Sequence, residues 1–132
     1  MTAPTPDRAR ACYLSPHQLK RLDLACIAIR EAFPDYGPVL VGSVGERVDF
    51  RDVDVRVILR DKDFDRMFGK GTADSHGEAH TDPRWSLICS ALSEWLTDLS
   101  GLPVDFQIQR MTEANATYGG QKRNPLGARW SR

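Results

Sequence analysis

Apolar residues recur at helical spacing in two segments of the chain. In each segment the intervals of three and four residues place the apolar side chains along one stripe of a helix. The stripes comprise Leu19, Leu22, Cys26, Ile29 and Phe33 in the first segment, and Ile88, Ala91, Leu92, Trp95, Leu96 and Leu99 in the second. Ser15-Pro16 is typical of a helix start, and Ser100-Gly101 is typical of a helix end. We therefore predict two amphipathic helices whose stripes face a common core.

Three further segments have the pattern of strands. Val39 to Val41 is a short apolar run that ends at Gly42-Ser43. Two longer segments alternate with the period of a strand, so that their apolar and polar side chains point to opposite faces. In the first of these segments, one face carries Val53, Val55, Val57 and Leu59 and the other carries Asp54, Arg56 and Ile58. In the second, one face carries Val104, Phe106 and Ile108 and the other carries Asp105, Gln107 and Gln109. We predict an α/β (α+β) fold with a small mixed β-sheet, helices packed on one face, and acidic side chains on the other.

The length of 132 residues fits one compact domain. We expect a flexible leader over 1–14, a single folded domain over 15–109 and a basic tail over 110–132 that packs on the domain or extends from it. Residues 61–84 form the longest polar interruption, and we expect them to be a loop that begins with one apolar-faced turn. The net charge is zero overall, but basic residues outnumber acidic ones in the tail.

Several function classes are disfavoured by composition. No apolar run approaches the roughly 20 residues of a membrane span, and the first residues lack the apolar core of a secretory signal. The three cysteines, Cys12, Cys26 and Cys89, are widely spaced and odd in number, which disfavours a disulfide framework. We expect a cytoplasmic protein with no membrane association.

The candidate chemistry lies in three carboxylates. Asp52 and Asp54 share a face at the start of one predicted strand, and Asp105 lies in another. If these strands are neighbours, Asp54 and Asp105 form a cross-strand pair roughly 5 Å apart at Cβ, and such crowding is relieved by a divalent cation. Mg²⁺ suits this arrangement because it takes one or two protein carboxylates and fills its other positions with water and phosphate oxygens.

Structural roles for the same acids are the alternative. Asp52 would cap a turn, Asp54 would pair with Arg56 or Arg47, and Asp105 would lie at a solvated sheet surface. Gly42-Ser43 favours the first interpretation, since glycine lets a ligand approach the backbone closely, and the following N–H groups and the Ser43 hydroxyl can hold phosphate oxygens.

The order of these elements resembles that of the nucleotidyltransferase superfamily of the DNA-polymerase-β type, in its minimal single-domain form. The order is a Gly-Ser turn, an Asp-x-Asp strand, a helix and a third acid on a later strand. The similarity covers roughly 39–109. It implies that Gly42 and Ser43 contact nucleotide phosphates, that Asp52 and Asp54 hold two metal ions, and that Asp105 completes the site of the ion that activates the attacking hydroxyl. Arg47, Arg56 and Gln107, with Gln109 beyond it, are the further candidates for nucleotide contacts.

The resemblance implies a magnesium- or manganese-dependent transfer of a nucleotidyl group from a nucleoside triphosphate such as ATP to a hydroxyl acceptor, with release of pyrophosphate. The acceptor is an RNA, a protein or a small molecule. The chain has no room for a separate acceptor-binding domain, so we expect a homodimer or an acceptor that binds beside the cleft.

Two other functions stay open. The interval between Ser43 and Asp52 is shorter than the interval that is commoner in the family. This favours a non-catalytic binding module of the same fold, similar to an antitoxin or an inhibitor. The basic tail, with Tyr118 and Trp130, is compatible with a nucleic-acid-binding protein whose acids are structural.

Overall fold

A computed structural model describes residues 12–45, 48, 50–68 and 82–128. The helices are α1 (Pro16–Ala25), α2 (Ile27–Ala32), α3 (Asp61–Phe68), α4 (Pro83–Ser100) and α5 (Met111–Tyr118), with a short 3₁₀ helix at Ser43–Gly45. The strands are β1 (Pro38–Val41), β2 (Val53–Leu59), β3 (Val104–Arg110) and β4 (Asn124–Pro125). Arg47, Trp130 and most of the predicted 61–84 loop lie outside the described residues; the start of that loop is the helix α3.

The first predicted helix begins, and the second ends, where the sequence places a cap; the start of the second helix lies in the predicted 61–84 loop and was not predicted. The Ser15 hydroxyl accepts a hydrogen bond from the Gln18 N–H while the Gln18 side chain accepts one from the Ser15 N–H, which is a capping box. The α4 helix starts at Pro83 after the N-cap Asp82 and ends at Gly101 with φ of 75°. That left-handed conformation is one that glycine adopts without strain.

The strands form one mixed sheet in the order β3-β2-β1-β4. The β2 and β3 strands are parallel, whereas β1 is antiparallel to both β2 and β4. The prediction of a small mixed α/β sheet is therefore confirmed. The short strand β4 comes from the predicted basic tail, which folds onto the domain.

One face of the sheet carries the main core. The alternating apolar residues of β2 and β3 are buried there against residues of α1, α2, α3 and α4, among them Leu22, Ile29, Phe64 and Leu96. This is the face on which helices were predicted.

The other face is partly covered by α5. Ala114 and Tyr118 of this helix pack against Val41 and Ile58 in a second apolar cluster. No helix was predicted on this side, because α5 lies in a segment whose basic residues and turn signals suggested a tail. The acidic side chains therefore share their face with a packed helix.

Side chains of α4 cover the edge of the sheet at β3. The Trp85 Nε1–H donates to the Ile108 carbonyl at 2.8 Å, and the Phe106 N–H donates to the Ser93 hydroxyl at 2.8 Å. The Val104 N–H donates to the Thr97 hydroxyl at 3.1 Å. Because these helix residues are four or eight positions apart, they form one row along α4, and this row satisfies backbone groups that an edge strand would otherwise expose.

The structure also bears on the predictions about the cysteines and about membrane-spanning segments. Cys12, Cys26 and Cys89 are all free and buried, and burial raises the pKa of the Cys26 thiol to about 12. Within the described ranges, no helix has the combined length and apolar character that crossing a membrane requires.

Candidate acidic site

Asp54 and Asp105 lie directly opposite each other on neighbouring parallel strands. The Asp54 side chain is 20% exposed and the Asp105 side chain 42% exposed, so both carboxylates open toward solvent on the face that carries α5. Asp52 precedes β2 and is exposed. The structure thus brings two of the three predicted acids into one pair and leaves the third at its margin.

Arg56 lies between these two acids. Its Nη2 is 3.3 Å from Asp105 Oδ2 and 3.7 Å from Asp54 Oδ1, and its Nη1 donates to the Asp105 carbonyl at 2.5 Å. The guanidinium is buried and lies 5.9 Å from the centre of the Tyr118 ring. The ion pair that the sequence left as an alternative for Asp54 is therefore present, and it extends to Asp105.

The arginine does not fully compensate the acids. Burial raises the pKa of Asp54, the positive charge of Arg56 opposes that rise, and the charges of Asp105 and Asp52 add to it; the pKa stays above its ordinary value of 3.8. A raised carboxyl pKa means that the ionised form lacks sufficient stabilisation. The largest cause of this shift is burial, but by formal charge one arginine also stands beside three carboxylates, Asp52, Asp54 and Asp105, so the cluster has an excess of negative charge.

Gly42 lies against Asp54 at the end of β1. Its φ is 81°, and a Cβ atom there would overlap the Asp54 carboxylate. Since Val41 is the register partner of Asp54, the glycine is needed both for its backbone conformation and for the close approach of the carboxylate. Ser43, half-buried, begins the 3₁₀ helix directly after it.

Gln121 also belongs to this site, although no sequence signal marked it. Its Oε1 accepts a hydrogen bond from the Gly42 N–H at 3.1 Å. The residue lies in the turn that follows α5, so its approach to Gly42 depends on how the tail folds back over the sheet. The Gly42 N–H is therefore held by the protein itself, whereas the groups that were predicted to hold phosphate oxygens are the N–H groups that follow Gly42 and the Ser43 hydroxyl.

Gln107 continues the polar face beyond Asp105. It is the register partner of Arg56, and its Oε1 accepts a hydrogen bond from Gln109 Nε2 at 3.2 Å. The remaining candidate, Arg47, falls outside the described residues, so its nucleotide contact stays a prediction.

A groove of about 230 Å³ runs beside Asp105, between β3 and α4. Its polar lining combines Asp105 and Gln107 with the α4 hydroxyls of Ser86, Ser90 and Ser93. These serines were not candidates in the sequence because they occur singly on a helix, without a motif. The acid pair therefore has Gly42 and Ser43 on one side and a hydroxyl-lined groove on the other.

The pair of carboxylates is suited to a hard cation, but it supplies only two protein ligands. Asp54 and Asp105 supply carboxylate oxygens, and the excess negative charge favours a divalent ion. Among the residues that the structure describes, no group of three or more acidic, histidine or cysteine side chains is arranged to hold a metal. A Mg²⁺ or Mn²⁺ ion here would thus take two protein carboxylates and complete its shell with water and phosphate oxygens, the usual manner for Mg²⁺.

Comparison of the chain with protein-family models, with curated proteins and with solved structures gave no match. The resemblance to nucleotidyltransferases thus depends on the residues and geometry described above.

Proposed function

We propose that this chain transfers a nucleotidyl group from a nucleoside triphosphate to a hydroxyl acceptor in a reaction that requires Mg²⁺ or Mn²⁺. The observation that carries the proposal is the pairing of Asp54 with Asp105 on adjacent parallel strands, with the close approach of Gly42 to Asp54. The proposal is also supported by the formal charge of the cluster, in which one arginine stands beside three carboxylates.

Each residue has a role that its position suits. Asp54 and Asp105 hold the metal, with Asp52 adding charge at the margin. When bound, the metal neutralises the triphosphate and increases the acidity of the acceptor hydroxyl. The Ser43 hydroxyl donates a hydrogen bond to a phosphate oxygen. Arg56 supplies a fixed positive charge beside the acid pair. A bond forms between the acceptor oxygen and the α-phosphorus as the bond to the leaving pyrophosphate breaks.

The acceptor would enter through the groove beside Asp105. The groove lies on the side of the acid pair away from Gly42 and Ser43, so donor and acceptor approach from opposite directions. The serine hydroxyls and the Gln107 amide suit a ligand that itself carries hydroxyl groups, such as a ribose. Asp105, the more exposed acid of the pair, is placed to accept a hydrogen bond from that ligand.

A second candidate is a nucleotide-binding module without catalysis. It is favoured by the Arg56 ion pairs, which compensate part of the acidic charge without a metal, and by the Gln121 contact with the Gly42 N–H. The nucleic-acid-binding alternative has less support, because two basic residues of the tail make internal contacts: Arg110 pairs with Asp65, and Arg123 donates to Asn115.

The test combines turnover with binding. The pure protein, with Mg²⁺ and labelled nucleoside triphosphates, is incubated with cell extract, and pyrophosphate release and labelled products are measured. We expect magnesium-dependent release that is lost in Asp54→Asn and Asp105→Asn and retained in the control Glu31→Gln, an exposed acid on α2.

The outcomes separate the candidates. A rise in melting temperature with triphosphate and Mg²⁺ but without pyrophosphate release would identify the binding module. Neither effect, together with nucleic-acid binding that weakens steeply with salt, would identify the third alternative and contradict the proposal.

A further inference from the structure

Helix α4 exposes a line of apolar side chains that the core does not use. Leu87 is 70% exposed, Leu99 47% and Trp95 39%, and Ala91 is exposed between them. The sequence stripe predicted that Ala91, Trp95 and Leu99 face the core, and for these three residues the prediction is wrong. Helix α4 instead buries Trp85, Cys89, Leu96 and Ser100.

The exposed residues form one continuous patch. Leu87, Ala91, Trp95 and Leu99 recur at intervals of four, which keeps them on neighbouring turns of one side of the helix. An apolar patch of this kind on an otherwise charged surface is typical of a site of association. None of the four patch residues lines the groove beside Asp105.

The order of residues along the patch has a two-fold symmetry. Leu87 and Trp95 are each four positions from Ala91, and Arg84 and Asp98 are each seven positions from it. A second α4 laid antiparallel across the first at Ala91 would therefore place Leu87 against the partner's Trp95 and Arg84 against the partner's Asp98. Both contacts would occur twice, as an isologous interface requires.

We infer that the chain forms an antiparallel two-fold dimer through the outer face of α4, with Ala91 at the centre. The small side chain of Ala91 lets the helices approach closely where they cross, the flanking Leu87 and Trp95 bury apolar area, and the terminal charges are complementary in this orientation. In a parallel pair, Arg84 would instead oppose Arg84 and Asp98 would oppose Asp98, which is repulsive.

The existing contacts of Arg84 permit this pairing. Arg84 bonds to Asp82 at 3.4 Å, but its side chain is 70% exposed, and an exposed ion pair of this kind contributes little energy. An α-helix of 18 residues is about 27 Å long, so a single helix pair buries an area at the low end for stable complexes. We therefore expect a dimer that dissociates on dilution.

Disulfide crosslinking tests the geometry directly. The native cysteines are buried, so the unmodified chain is the background control. We expect Ala91→Cys to form a disulfide-linked dimer under mild oxidation, because residue 91 meets itself. Leu87→Cys and Trp95→Cys should each stay monomeric alone, since the self-distance is about 12 Å along the helix, but an equimolar mixture of the two should crosslink.

Sedimentation of uncrosslinked protein supplies the second measurement. We expect a concentration-dependent dimer that Leu87→Glu converts to monomer, whereas Ser86→Glu, one position away and off the patch, leaves it unchanged. Arg84→Asp should weaken the dimer, and adding Asp98→Arg should restore it. A monomer at all concentrations, or equal crosslinking by all three single cysteine variants, would overturn the inference; the first outcome would leave the patch to a different partner, and the second would indicate a parallel pair.

Discussion

Arg56 sets the charge balance of the acid face. It is a buried arginine that contacts both Asp54 and Asp105, yet the pKa of Asp54 remains raised. The same side chain is compatible with two states of the site: a metal-free state in which arginine alone compensates the acids, and a metal-bound state in which it supplies additional positive charge. Substitutions of the acids and of the arginine should therefore affect stability in opposite directions.

For Asp54→Asn, we expect the metal-free protein to be as stable as the wild type at neutral pH, or slightly more stable. A repulsion with Asp105 and Asp52 is removed, and Arg56 keeps its shorter contacts with Asp105.

The pH dependence gives this prediction its sign. Because the folded-state pKa of Asp54 is raised above 3.8, the folded protein retains a proton that the unfolded chain has lost between those two pKa values. The free energy of unfolding of the wild type should therefore fall as the pH rises through that window and stay reduced above it. Asp54→Asn should lack this contribution, so its advantage should appear as the pH rises. Urea unfolding at a series of pH values measures the difference.

Arg56→Met is the matched comparison. It removes the cation and leaves both acids, so we expect destabilisation toward the lower end of the roughly 3–5 kcal/mol typical of a broken buried pair, because both carboxylates retain some solvent contact. Marked destabilisation by Asp54→Asn without metal would instead indicate that the ion pair is purely structural.

At the scale of elements, helix α4 and strand β3 are joined by hydrogen bonds between helix side chains and strand backbone. Ser93 and Thr97 accept hydrogen bonds from the N–H groups of Phe106 and Val104, but the Val104 N–H also donates to the Leu102 carbonyl at 2.9 Å. Loss of the Ser93 hydroxyl would leave a part-buried donor unsatisfied, so we expect Ser93→Ala to reduce the free energy of unfolding by about 1–3 kcal/mol. We expect a smaller reduction for Thr97→Val, because the Val104 N–H keeps its second acceptor. The control is Ser90→Ala, an exposed serine on the same helix, which should change stability little. Equal effects of all three in urea unfolding would show that the row of hydroxyls has no special role.

The elements also show what the sequence can predict. The β2 and β3 strands follow from their alternation, and the end of α4 follows from Ser100-Gly101, because these signals are local. The start of α4 at Pro83 was missed, because Asp82 and Pro83 lie in a segment that was predicted to be a loop. The break of the first helix at Cys26 does not follow from such local signals. It lies where the tail packs: the Gly127 N–H donates to the buried Asp23 carboxylate at 3.2 Å, and a Cβ at Gly127 would meet the Cys26 carbonyl. Such contacts join residues about a hundred positions apart.

In the candidate site, too, some features follow from local sequence signals and others depend on how the helices pack. The pairing of Asp54 with Asp105 could be predicted because both acids lie on the polar face of alternating strands. The contact of Gln121 with Gly42, the cover of Tyr118 over Arg56 and the serine-lined groove could not, since each depends on where α4 or α5 packs. Three residues of the exposed apolar patch, Ala91, Trp95 and Leu99, were predicted to lie in the core because the apolar stripe of α4 is too broad to be buried completely. Leu87 was not part of that stripe.

At the scale of the whole molecule, the core, the acid pair and the apolar patch lie in three different places around one mixed sheet. One face holds the main core, the other presents the acid pair beside α5, and the outer side of α4 carries the apolar patch. Because the patch is separate from the acid pair, dimerisation through α4 and metal–nucleotide binding can be tested independently, and failure of one would not decide the other.

The most direct test of the central claim is paramagnetic broadening of backbone amide signals by Mn²⁺, in the presence of a nucleoside triphosphate analogue that cannot be cleaved. We expect the signals of Gly42, Asp54 and Asp105 to broaden first and Asp105→Asn to prevent this effect, while the control Glu31→Gln leaves it intact. Broadening centred elsewhere, or broadening at these residues that Asp105→Asn does not change, would contradict a metal site formed by the acid pair.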